Sequence, residues 1–210
     1  GWSYDDSREF FTREELETLF TLEKLNKAPG VFDYQKLQWF NGHYIRQKPD
    51  DQLLSLLLPR LQEAGVVSTP PGEDEREILD GMIPLVKERL KVLKDSASLV
   101  RFLFQDISGY EAQTLIPKKL DGEKTLQILR EDRQLVEGMK DRNDDETEAL
   151  FRSKAEELEV KLGAMLMPIR IALTGSTVSP PLFESIRLLG IEKSVDRIEH
   201  AENLLTEYLQ

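Results

Sequence analysis

Pro49-Asp50-Asp51-Gln52-Leu53-Leu54-Ser55-Leu56-Leu57-Leu58-Pro59-Arg60-Leu61-Gln62-Glu63-Ala64-Gly65 is the stretch whose reading decides the fold class. Leu53, Leu54, Leu57, Leu58 and Leu61 recur at intervals of three and four residues, the period of a helix with one apolar face. Pro49 and Asp50 break the preceding helix and are expected to cap this one, and Gly65 is a suitable stop.

The same signature continues toward both ends. Upstream, Thr12-Arg13-Glu14-Glu15 reads as a capping box, followed by Leu16, Leu19 and Phe20 at helical spacing. Asp33 reads as a second N-cap, before the stripe Leu37, Phe40, Tyr44 and Ile45. Downstream, Thr69-Pro70-Pro71-Gly72 is a turn, and Ile78, Leu79, Met82, Leu85 and Val86 form the next apolar face. Ser96 is expected to cap a short helix carrying Leu99, Val100, Leu103 and Phe104, which Ser108-Gly109 interrupts. Leu126, Ile128, Leu129, Leu135 and Val136 predict another helix. Asp141 to Asp145 reads as a charged joint between modules. Four helical runs follow it, broken by Gly163, by Thr174-Gly175-Ser176 with Pro180-Pro181, and by Gly190. No stretch alternates apolar and polar residues with β-branched enrichment, so the chain is predicted to be all-α. No internal repeat or low-complexity tract is present.

A chain of 210 residues can form one large or two small domains, and its 40% hydrophobic and 32% charged content is that of a folded, soluble protein. No apolar run reaches the ~18 residues of a membrane span. The opening Gly1-Trp2-Ser3-Tyr4 has no initiator Met, basic n-region or apolar h-region, so no signal peptide is expected. The lack of cysteine excludes disulfides, thiolate metal sites and a cysteine nucleophile, and is compatible with a cytoplasmic location.

The net charge of −11 counts against a nucleic-acid partner, because phosphate neutralisation needs Lys and Arg. The charge is unevenly distributed, however. Lys87, Arg89, Lys91, Lys94 and Arg101 crowd one segment, whereas Asp141 to Glu159 holds eight acids against Arg142, Arg152 and Lys154. A basic patch on an acidic body can steer and hold an anion locally; the alternative is a solvated helix face.

Signals of independent catalysis are absent. His43 and His200 have no neighbouring ligand-type partner. There is no phosphate loop, dinucleotide fingerprint or Gly-x-Ser-x-Gly elbow, and Asn143-Asp144-Asp145 lacks the oxygen spacing of a calcium loop. Binding rather than bond-making is expected. Single-stranded RNA is read by stacking on flat side chains and by hydrogen bonds to base edges, and the Arg guanidinium offers both. Arg89 lies in the basic patch, and Arg152 and Arg170 stand among few other cations. Arg170 sits on an otherwise apolar helix, and Ser179-Pro180-Pro181-Leu182-Phe183 starts the next one. Its N-terminal N–H groups and the Ser179 hydroxyl are placed to meet a base edge or a phosphate. Structural alternatives stand beside these roles: Arg170 as an interhelical ion pair, Ser179 as an N-cap, Pro180 as a first-turn residue.

Read together, two blocks resemble the glutamyl-tRNA synthetase family. Val31-Phe32-Asp33-Tyr34-Gln35-Lys36-Leu37-Gln38-Trp39-Phe40-Asn41-Gly42-His43-Tyr44-Ile45-Arg46, with Gly1-Trp2-Ser3 before it, is similar to the family's stem-contact segment. Pro168-Ile169-Arg170-Ile171-Ala172-Leu173-Thr174-Gly175, then Ser179-Pro180-Pro181-Leu182-Phe183 and Leu188-Leu189-Gly190, resembles its last anticodon-binding module. The resemblance covers essentially the whole chain.

It implies helical bundle domains of the anticodon-binding α-helix cage type, preceded by part of a stem-contact domain. The expected division is 1–48 for the stem-contact part, 49–140 for the first helical module and 141–210 for the second. The complete enzyme would be a glutamate–tRNA ligase that uses ATP and Mg²⁺. Its His-Ile-Gly-His-like and Lys-Met-Ser-Lys-Ser-like motifs do not occur in these residues, so the chain is expected to bind tRNA without forming glutamyl-adenylate alone. The implied partners are tRNA(Glu) and the parent catalytic domain, with no DNA and no membrane, and the chain is expected to be a monomer. By motif match, Arg89 falls where the family reads the third anticodon base. Arg152 and Arg170 fall at anticodon-contacting arginines, and Ser179, Pro180 and Leu182 on the loop and helix start beside the anticodon. The family often has Thr at the position of Ser179. Arg rather than Gln at position 89 resembles members that favour glutamate over glutamine tRNA. Lys87, Lys91, Lys94 and Arg46 are candidate phosphate contacts. The competing class is a helical protein–protein adaptor, which the amphipathic helices and acidic surface also suit.

Overall fold

The computed structural model describes residues 2–5, 7–25, 31–107 and 109–210. Among these it holds ten α-helices and no strand, with one isolated bridge between Trp2 and Leu25, so the all-α expectation is met. The chain forms two compact units, Gly1–Leu37 and Gln38–Gln210.

The first unit contains α1 (Arg13–Leu19) and the start of α2 (Tyr34–Gln47). The capping box is present in both directions: the Glu15 amide donates to Thr12 Oγ1 at 3.2 Å, and the Thr12 amide to Glu15 Oε2 at 2.8 Å. Asp33 caps α2 as expected, accepting from the Gln35 and Lys36 amides at 2.8 and 3.0 Å. Trp2 packs against Phe11 and Phe20, with ring centroids 5.6 and 6.0 Å apart. Gly1 and residues 26–30 lie outside the described set.

The second unit holds the rest of α2, then α3 (Asp50–Glu63), α4 (Glu73–Lys87), α5 (Ser96–Phe104), α6 (Gly122–Glu137), α7 (Asp144–Glu157), α8 (Leu162–Thr174), α9 (Leu182–Leu189) and α10 (Ile191–Tyr208). Two buried apolar clusters organise it. The first gathers Leu53, Leu57 and Leu61 of α3 with Met82 and Val86 of α4 and Val100 and Leu103 of α5. The second gathers Ile128 and Leu129 of α6, Phe151 of α7, Ile169 and Ala172 of α8, and Ile198 and Leu205 of α10. In sequence the clusters divide between Phe104 and Tyr110, and the charged joint at 141–145 falls within the span of the second. Helix α9 joins them. Leu182, Phe183 and Ile186 lie in the second cluster, Leu188 packs on the first, and Leu189 packs on both. Gly81 makes room for this: a Cβ there would come 2.7 Å from Leu188 Cδ1.

Several local expectations are corrected. The N-cap of α3 is Pro49, which offers no side-chain acceptor, and Asp50 is its first residue, where a carboxylate suits the helix dipole. Ser96 does not cap α5: it is buried and donates to the Leu93 carbonyl at 2.8 Å, so the turn Leu93–Asp95 runs straight into the helix. Gly163 lies inside the first turn of α8, and the break occurs at Glu159, which takes the left-handed φ of 59°. Gly65, Gly175 and Gly190 end helices as expected, each with positive φ. Of Ser108-Gly109, Ser108 lies outside the described residues.

Candidate nucleic-acid interface

The site grows from the C-terminal end of α8. Apolar residues at 165, 169 and 172 bury one face of that helix, leaving Arg170 half-buried near its end. Gly175 at φ 68° turns the chain back, and Thr174 ties the turn: its hydroxyl donates to the Arg170 carbonyl at 2.8 Å and accepts from the Ser176 amide at 3.2 Å. The Val178 amide then donates to Ser176 Oγ at 3.1 Å. These bonds return the loop to Arg170, whose Nη1 donates to Ser179 Oγ and, at 3.4 Å, to the Pro180 carbonyl. Ser179 Oγ itself donates to that carbonyl at 2.8 Å.

Two structural alternatives are thereby corrected. Arg170 meets a hydroxyl and a carbonyl, and no carboxylate pairs with it among the described residues. Ser179 is not an N-cap, because α9 begins at Leu182 with Pro181 as its N-cap. Ser179, Pro180 and Leu182 are all buried, so they shape the loop from beneath.

Arg89 stands beside this node. Burial holds the Arg170 pKa below its ordinary value, and the charge of Arg89 adds to the depression. Arg89 is exposed, just beyond α4, and no acid pairs with its side chain among the described residues. Two like charges held close without a counter-charge favour an anion or a carbonyl-rich ligand between them.

The surrounding cations are unequal. Lys87 Nζ is bound to Asp50 Oδ1 at 2.6 Å and is largely covered. Lys91, Lys94 and Arg46 are exposed. Asn41 donates to the Lys91 carbonyl, and Gly42 lets α2 settle on this segment, since a Cβ there would lie 3.4 Å from the Leu90 carbonyl. Arg46 is thus brought to the side of Lys91. Arg152 differs. It lies on α7, paired with Glu148 at 2.6 Å, in a shallow groove with Asp145 and Glu156. No described contact links it to the Arg170 node.

Sequence reading missed Arg197 of α10, which is buried behind the loop. A signal was available: Ser194, Arg197, Ile198, Ala201 and Leu205 make one helical stripe. Among the described residues no group of three His, Asp or Glu could hold a metal ion, and no helix is long and apolar enough to cross a membrane.

The model of the anticodon binding domain family matches residues 52–202. The chain belongs to this family. The match covers most of both buried clusters and the whole 174–181 loop, and it does not favour the adaptor class. Among curated relatives, the glutamate–tRNA ligase of Borreliella burgdorferi is 43% identical over 205 residues, which are 98% of this chain and 42% of the relative. That of Treponema pallidum is 44% identical over 221 residues, covering 95% of the chain and 41% of the relative. The chain therefore spans about two-fifths of the length of these relatives. A crystal structure of a glutamate tRNA ligase from Elizabethkingia meningosepticum, in complex with its amino acid, superposes with a TM-score of 0.67 at 24% identity. It covers 98% of this chain and 39% of that one, and the likeness is one of fold.

Proposed function

We propose that this chain is the tRNA-reading portion of a glutamate–tRNA ligase and binds the anticodon arm of tRNA(Glu). The observation that carries the proposal is the Arg170–Ser179–Pro180 node with unpaired Arg89 beside it. The family match and the names of the relatives support it. In this reading unstacked anticodon bases lie against the two guanidinium planes, with Arg89 reading the third base. Lys91, Lys94 and Arg46 hold nearby phosphates. Lys87, already paired, contributes less, and Arg152 contacts RNA only by exchanging Glu148 for it. Binding energy from this remote site helps to seat the acceptor end where chemistry occurs. ATP and Mg²⁺ belong to the parent ligase, which works in the cytoplasm. Residues 1–48 serve as the stem-contact part, with reading modules at 49–140 and 141–210, and the chain acts as a monomer.

The test is titration of the chain with tRNA(Glu) and with the same tRNA altered at the third anticodon base, at two salt concentrations. Salt-sensitive binding that prefers the native anticodon is expected. Arg89→Gln is expected to shrink that preference by about 1–3 kcal/mol, the worth of one bidentate base contact. Binding indifferent to the anticodon in the wild type refutes the proposal.

A further inference from the structure

Arg197 is 8% exposed, yet its terminal nitrogens are spent on backbone. Nη1 donates to the Leu173 carbonyl at 2.7 Å, and Nη2 donates to the Gln105 carbonyl at 3.0 Å. The nearest carboxylate oxygen, on the 93% exposed Asp106, is 3.9 Å away. Leu173 lies in the last turn of α8, and Gln105 is the C-cap of α5. Carbonyls at a helix C-terminus lack intrahelical donors and carry the negative end of the dipole. One buried cation thus satisfies the ends of two helices, one from each apolar cluster.

The first of these ends leads directly to the interface, and the second reaches it through the length of α5. Leu173 precedes Thr174, whose hydroxyl starts the bonds that fold residues 174–181 back onto Arg170. Helix α5 continues without a break from the turn Leu93–Asp95, the end of the basic segment that carries Arg89 and Lys91.

We propose that Arg197 is a positioning residue for the interface, holding the start of the loop 174–181 against the C-terminal end of α5, the rigid helix whose other end continues from the basic segment 87–94. It touches no RNA and acts through the Leu173 and Gln105 carbonyls. The proposal rests on the anticodon-reading function above. Only a planar fork can serve two carbonyls from one rigid group; a lysine ammonium keeps the charge without that geometry.

The test uses Arg197→Lys and Arg197→Met in the full chain. Helicity is followed by circular dichroism at 25 °C, and amide exchange across residues 174–181 is measured without RNA. Binding is measured to tRNA(Glu) and to the third-base variant. Arg197→Lys is expected to stay folded, to exchange at least tenfold faster in 174–181, and to lose at least threefold of the ratio between the two tRNAs. Its affinity for the variant tRNA is expected to change less than twofold. If Arg197→Met unfolds, Arg197→Lys carries the test. An unchanged ratio in folded Arg197→Lys overturns the proposal, as does a lysine variant melted at 25 °C, which would mark a general core brace. If the wild type itself ignores the third base, the functional reading falls instead, and exchange in 174–181 alone then decides whether Arg197 holds the loop.

Discussion

Asp132 lies on the inner face of α6 between Ile128 and Val136, fully buried, with neither carboxylate oxygen hydrogen-bonded. Burial pushes its pKa well above the ordinary carboxylate value, and the neighbouring Glu131 charge pushes in the same direction. The group therefore stays protonated in the fold at pH values where the unfolded chain has already released the proton. Stability is lost as pH rises from the unfolded value of about 3.9 toward the raised folded value, at about 1.4 kcal/mol for each unit of that rise. Asp132→Asn keeps the shape and cannot ionise. Its stability advantage over the wild type is expected to be small near pH 4 and to grow toward pH 8. Urea melts of both proteins across that range measure it, and a difference that is flat with pH would place a partner beside the carboxylate. Arg170 shows the opposite solution to burial. Its charge persists because a hydroxyl and a carbonyl take its donors, and Arg89 lies near enough to oppose it.

Helix α9 is short, and its position depends on its ends and its neighbours rather than on its own length. At its last turn Arg187 grips the joint before α7, donating to Asp144 Oδ1 at 2.6 Å and to the Arg142 carbonyl at 2.6 Å. Leu188 fits over Gly81 of α4. Gly190 then separates α9 from α10 at φ 94° and ψ 140°, a region that residues with a Cβ rarely occupy. Open space surrounds Gly190, so a methyl group there meets strain but no clash. Gly190→Ala is expected to destabilise the second unit by about 1–3 kcal/mol, read as a lowered melting temperature with native helicity below it. No change in melting temperature would contradict the assigned backbone conformation.

At the scale of the whole molecule, a chain with net charge −11 repels nucleic acid except where the fold concentrates cations. Arg46 and Lys91 are exposed on adjoining segments, whereas Lys87 is engaged by Asp50. Each phosphate contact to a single strand contributes about 0.7 to the slope of log affinity against log salt. Lys91→Ala and Arg46→Ala are therefore each expected to reduce that slope by roughly 0.7 for tRNA binding, and Lys87→Ala by clearly less. Equal effects from all three would mean that the Lys87–Asp50 pair opens when RNA binds.

Local signals made the helices legible. Apolar spacing, the capping box at Thr12 and the glycines at 65, 175 and 190 depend on residues within one or two turns, so periodicity and side-chain chemistry are enough to find them. The weaker local cues failed. Ser96 turned inward to a carbonyl, and Gly163 joined a helix because the turn before it had already absorbed the break at Glu159. The candidate site was legible as residue types: Arg89, Arg170 and Ser179 stood out by charge and by position beside turns. Their grouping was not legible, because Arg89 comes near enough to act on Arg170 only through the packing of the two apolar clusters that α9 joins. Arg152, equally conspicuous in sequence, was drawn to Glu148 one helical turn away.

By itself, the sequence determined an all-helical chain with an uneven charge and a specific set of turn residues, because short-range sterics and hydrogen bonding act between near neighbours. Tertiary structure alone decided which cations stay unpaired, which become internal braces, and that a fully buried acid sits without a partner. Those outcomes depend on burial and on contacts between residues far apart in the chain, such as Arg197 with Gln105, and no local pattern encodes the distance between them.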